Sequence, residues 1–89
     1  MARFDFSAED MVHGAAPVDG AEAFFQLGLM YCAGRDVELD LVEAHKWFNL
    51  AALRGNDAAK SYRLELSREM TKKQISAAQK SAREWLRMH

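Results

Sequence analysis

Between positions 19 and 89, apolar residues recur every three or four positions in four blocks, each opened by a residue type that caps helices. That spacing places side chains on one face of an α-helix. The first block predicts a helix from about Gly20 to Ala33. Asp19-x-x-Glu22 matches a capping box, in which the aspartate accepts from a free backbone N–H and the glutamate reaches back. Gly34 stops this helix, because it tolerates positive φ. Asp40-x-x-Glu43 is a second box and opens a helix that ends near Arg54, at Gly55. Asn56 or Asp57 caps a third, predicted to run to about Met70. Thr71-x-x-Gln74 is a third box and opens a helix reaching about Met88, with Met70 placed as a hydrophobic staple against Ile75. Each cap is worth roughly 1 kcal/mol.

Residues 1–18 lack this period. Phe4 and Phe6 alternate with polar neighbours, and Ala15-Ala16-Pro17 breaks any helix. One short turn from Ser7 to Val12, capped by Ser7, fits the pattern. The segment reads as a non-helical arm anchored by Phe4, Phe6, Met11 and Val12.

Small residues fall where two helices must approach. Gly28 on the first helix, and Ala44, Ala51 and Ala52 on the second, allow close backbone contact. Leu27, Tyr31, Trp47 and Phe48 then fill the space around it. Ala59, Tyr62, Leu66 and Met70 make a stripe on the third helix. Ile75, Ala78, Ala82, Trp85 and Leu86 make the facing stripe on the fourth. The expectation is an all-α chain of four helices in two hairpins, preceded by the arm.

The full spacing is Ala23-x3-Leu27-Gly28-x2-Tyr31-x2-Gly34-x2-Val37-x2-Asp40-x3-Ala44-x2-Trp47-Phe48-x2-Ala51-Ala52-x2-Gly55-Asn56-x2-Ala59. Over residues 23–59 it resembles the Sel-one-like repeat, a relative of the tetratricopeptide repeat. Asp36 departs from the pattern, standing where that family usually has a second glycine; aspartate tolerates left-handed geometry well enough to keep the turn. The tail from Met70 to Trp85 resembles the terminal helix that often closes such arrays. The resemblance implies a tetratricopeptide-like α/α hairpin solenoid fragment: a full repeat over residues 19–55 and a degenerate closing pair over 56–89. It also implies a surface for gripping other proteins and makes a bacterial setting natural. Repeats bury their faces against neighbours, and about three are usually needed. Part of this surface is therefore expected to be covered by the arm, by another protein or by a second copy.

At 89 residues the chain is one domain at most. An apolar fraction of 49% argues for a folded core. The net charge of −1 gives no overall pull toward nucleic acid or membrane. The charge is unevenly spread, however. Residues 1–22 carry one basic and five acidic groups (−4), residues 23–57 three and five (−2), and residues 58–89 eight and three (+5). A single cysteine, Cys32, forms no internal disulfide and favours a reducing compartment. The N-terminus lacks the apolar run of a signal peptide, and no stretch approaches the roughly 20 apolar residues of a membrane span. A cytoplasmic protein is expected.

Two groups are candidate binding residues. Phe24, Phe25, Leu29 and Cys32 are left on the first helix after its contact with the second is assigned. With Phe4 and Phe6 they suggest a partner-facing apolar groove, to be weighed against cover by the arm or ordinary core. Lys73, Lys80, Arg83 and Arg87 share one face of the fourth helix. They suggest docking to an acidic partner or RNA, to be weighed against a solvated face. No aromatic residue interleaves with them to stack bases. Chemistry finds no support. Cys32 and His45 read as a packed cysteine and a surface histidine, the three histidines are far apart, and Glu22 and Glu43 read as caps. No catalytic residue, metal site, cofactor or small-molecule substrate is expected. The reading is a non-catalytic interaction module, a small adaptor or accessory subunit docking on a larger protein or complex. A self-associating module is the alternative, with nucleic-acid binding through the fourth helix behind it.

Overall fold

The computed structural model describes residues 20–89, and within them the chain is all-α: α1 (Ala21–Ala33), α2 (Leu41–Leu53), α3 (Asp57–Ser67) and α4 (Lys72–Met88). The expectations for the arm, including Phe4, Phe6 and the Ser7–Val12 turn, lie outside the described residues, as does the Asp19 cap.

The helix starts follow local chemistry, with one correction. Asp40 accepts from Glu43 N–H at 3.1 Å, and Asn56 accepts from Ala59 N–H at 3.0 Å. Thr71 and Gln74 form the complete reciprocal box. Glu43, though, does not reach back to Asp40. Its carboxylate accepts from Trp47 Nε1–H at 3.1 Å and pairs with Lys46 at 3.2 Å, while Asp40 N–H donates to Tyr31 O. Glu22 accepts from Gln26 Nε2–H at 2.6 Å, and α1 starts behind Gly20, which has no side chain to cap it. The α1–α2 turn uses left-handed backbone at Gly34 (φ 68°) and Asp36 (φ 64°), the geometry the sequence demands there. The third helix ends at Ser67, three residues early. The chain continues through i→i−3 bonds from Arg68, Glu69 and Met70, which bring the buried Met70 inward.

The α1–α2 hairpin closes where Gly28 lies against the ring of Phe48, which is fully buried with Ala44 and Ala51. The further assembly differs from the expected second hairpin. Among the described residues, α3 and α4 do not lie along each other; each packs along α2, as does α1. The small, buried Ala59 of α3 and Ala78 and Ala82 of α4 permit that approach. As a result α2 is buried nearly all round, through Ala44, His45, Lys46, Phe48, Leu50 and Ala51. Leu86, expected in the buried stripe, is 40% exposed.

Two aromatic triads tie the outer helices to the hairpin. The adjacent Phe24 and Phe25 of α1 meet the adjacent Trp47 and Phe48 of α2. Phe24 lies 5.5 Å from Trp47, and Trp85 of α4 completes the set at 5.2 Å from Phe24 and 5.8 Å from Trp47. Phe25 lies 5.9 Å from Phe48, and Tyr62 of α3 completes the second at 5.3 and 5.5 Å. These tilted and edge-on pairs each contribute about 0.5–1.5 kcal/mol beyond simple burial.

Candidate functional site

The triads decide the fate of the first candidate group. Phe24 and Phe25 are half-buried members of the triads, Leu29 is buried in the core, and Cys32 packs against that core. These four residues do not form an open apolar groove. The expectation assigned α1 a single neighbour, whereas its side chains also meet Tyr62 and Trp85, so a wider arc of the helix is covered. Burial raises the Cys32 thiol pKa above its ordinary value, and the nearby Glu69 carboxylate adds to this. Such a thiol is a poor nucleophile. Among the described residues, no group of His, Cys, Asp or Glu side chains could hold a metal ion.

His45 is buried, at 2% exposure, where the sequence suggested a surface residue. It faces α3. Its Nε2 lies 3.0 Å from Ser67 Oγ, and Ser67 O–H donates to Arg63 O at 2.8 Å. Because Ser67 gives its proton to Arg63, Nε2–H is the donor to Ser67. Nδ1 is then a buried acceptor without a partner among the described residues. Burial first, and the Arg63 charge second, push the His45 pKa below its ordinary value. Above the unfolded-state value, near 6.5, His45 is neutral in both states and adds no pH dependence. Below it, the unfolded chain takes up the proton first, so stability falls with falling pH until the folded pKa is passed. The urea midpoint of the wild type is expected to drop between pH 7 and pH 5, and that of His45→Gln to drop less. Parallel curves for the two proteins would refute this.

The second candidate group keeps its geometry. Lys73, Lys80, Arg83 and Arg87 are all exposed, and their spacing puts them about half a helical turn from the buried Ala78 and Ala82. The row spans about 21 Å, using a rise of 1.5 Å per residue. Elsewhere the described residues form local ion pairs: Lys46–Glu43, Lys60–Asp57 and Arg68–Glu65. On α4, Glu84 lies four residues after Lys80 and three before Arg87, spacings that favour pairing. It pairs with neither, and among the described residues no ion pair neutralises the row. The helix dipole makes the charge more conspicuous. Arg87 in the last turn is favourable, but Lys72 and Lys73 occupy the first turn, which holds no acidic residue. A cation there costs about 0.3–1 kcal/mol. The row is therefore poorly explained by helix stability alone.

The signature residues divide between core and turn. Gly28, Ala44 and Ala51 are buried; Leu27, Tyr31, Trp47 and Ala52 are half-buried; Ala23, Gly34, Asp40 and Gly55 are exposed. No described helix is long and apolar enough to cross a membrane. Compared with known proteins, the chain matches no family model, no curated protein and no solved structure.

Proposed function

We propose that the chain is a non-catalytic protein–protein interaction module, a small adaptor or accessory subunit that docks on a larger protein or complex. The resemblance of residues 23–59 to a Sel-one-like repeat suggests that class of work. The observation that carries the reading is the exposed cation row on α4, unpaired among the described residues, whose first-turn lysines oppose the helix dipole. Its complement is an acidic protein surface, because opposite potentials steer encounter and fix register. The apolar face of α1 is not part of this reading, since its aromatic residues complete the fold.

The test is a pull-down from native extract with wild type and an Arg83→Glu/Arg87→Glu variant, whose folding is matched by circular dichroism. The expected result is a set of acidic companions recovered by the wild type and lost with the variant or at high salt. Identical companions for both proteins, or none, would sink the reading. Recovery abolished by nuclease would replace it with nucleic-acid binding, and a sample recovering only copies of itself would replace it with self-association.

A further inference from the structure

We propose that the element received by the α4 face is an acidic amphipathic helix of a partner protein, seated by its carboxylates on Arg83 and Arg87 and by apolar side chains against Leu86 and Met88. This rests on the reading of that face as a protein-docking surface and specifies what docks there.

The cations of the face are not uniform along the helix. Lysines stand toward its start, at Lys72, Lys73 and Lys80, and arginines at its end, at Arg83 and Arg87. A lysine ammonium is a compact, strongly hydrated charge. An arginine guanidinium is more weakly hydrated and holds a carboxylate through two parallel N–H bonds. The start of α4 is thus suited to attraction across water, and its end to close contact.

Apolar surface gathers at that same end. The described residues leave five large apolar side chains exposed, Leu39, Leu53, Leu64, Leu86 and Met88. Two of the five stand beside the arginines: Leu86 at 40% exposure and Met88 at 78%. At 3.6 residues per turn they fall on opposite flanks of the cation row, between it and the buried side marked by Ala78 and Ala82. A single exposed leucine is ordinary. Two apolar side chains bracketing an arginine pair offer area that a purely charged ligand leaves unused. A nucleic-acid backbone would neutralise the arginines and leave Leu86 and Met88 in water.

Spacing favours a helix over an extended strand. Arg83 and Arg87 are four residues apart, about 6 Å along the axis, which matches carboxylates four apart on a second helix. Lys73, Lys80 and Arg87 recur every seven residues, about 10.5 Å, the interval at which a helix lying alongside repeats its facing side chains. Same-face side chains of a strand recur at about 6.6–6.8 Å and fall out of step with that interval.

The experiment titrates the whole chain into fluorescein-labelled synthetic peptides of about 18 residues, long enough to follow the row. In the first peptide, glutamates share one helical face and two leucines flank them at one end. The second has the same composition in an order that collects no face. The third is the first with serine in place of leucine. Oligouridylate serves as a plain polyanion. The first peptide is expected to bind at least tenfold more tightly than the other three probes, with amide shifts at residues 80–88. A Leu86→Ser/Met88→Ser variant, matched in helicity by circular dichroism, should lose about tenfold for the first peptide, the scale of one buried apolar side chain, and nothing for the third. Met88→Ser alone, at the more exposed site, should move affinity the same way. Equal binding of the first two peptides, equally tight oligouridylate, indifference to the Leu86 and Met88 changes, or no binding of the first peptide would each overturn the proposal. The double-serine variant keeps every cation. If it still recovers the acidic companions that Arg83→Glu/Arg87→Glu loses, the acidic-partner reading stands and this inference alone falls.

Discussion

Truncating Phe48 to alanine is expected to remove about 3–5 kcal/mol of stability, the range found for large buried aromatics. Phe48 is fully buried, and its ring meets Phe25 and Tyr62 as well as the backbone of Gly28. The void would be hard to fill. On one side stands a glycine with no side chain to move, and on the others stand rings fixed by their own neighbours. A domain of this size has about 4–13 kcal/mol to lose, at 0.05–0.15 kcal/mol per residue. The variant should therefore unfold at much lower urea, or be partly unfolded without it. Urea titration followed by circular dichroism measures this. A loss under about 1 kcal/mol would mean that Phe48 is not the centre of the fold.

Gly28→Ala should also destabilise, although alanine is the better helix former by about 1 kcal/mol. The added Cβ would lie 2.5 Å from Phe48 Cδ1 and 3.0 Å from Cζ, and closer still to Cε1. Real contacts do not tolerate such distances, so the ring or the helix must shift. Overpacking of this kind costs about 1–3 kcal/mol. The ring cannot swing aside cheaply, because Phe25 and Tyr62 hold its other edges, so the clash outweighs the gain in propensity. The net loss should be about 1–2 kcal/mol. A double-mutant cycle makes the cause testable. In a Phe48→Leu background the same Gly28→Ala change should cost less, giving a coupling within the 0.5–3 kcal/mol seen for residues in contact. Strict additivity would show that the alanine acts elsewhere.

The parts of this fold that depend on near neighbours were legible in the sequence. Asp40, Asn56 and Thr71 cap where their types and spacing indicate, and Gly34 and Asp36 take the left-handed backbone expected of them. The close approach at Gly28 was also readable, since only a missing side chain lets a helix lie against a phenylalanine ring. What the pattern did not specify was the neighbour of each buried face. The stripes on α3 and α4 were found, but a stripe says that a face is buried and not against what. Both bear on α2. His45 was misplaced for a related reason: a polar residue suggests solvent until a serine 22 positions away offers it a hydrogen bond. The basic row on α4 followed from spacing alone. That no described carboxylate neutralises it depends on side-chain positions, which sequence does not give.

The first triad has an optical consequence. Both tryptophans of the chain belong to it, one on α2 and one near the end of α4. With ring centres 5.8 Å apart and planes 72° to each other, the indoles are close enough for their excited states to couple. Intrinsic emission and the exciton signal therefore monitor a single event, the seating of α4 on the hairpin. Tyr62 and the phenylalanine rings of the second triad leave that channel clear, so detachment of the last helix has its own spectroscopic signature.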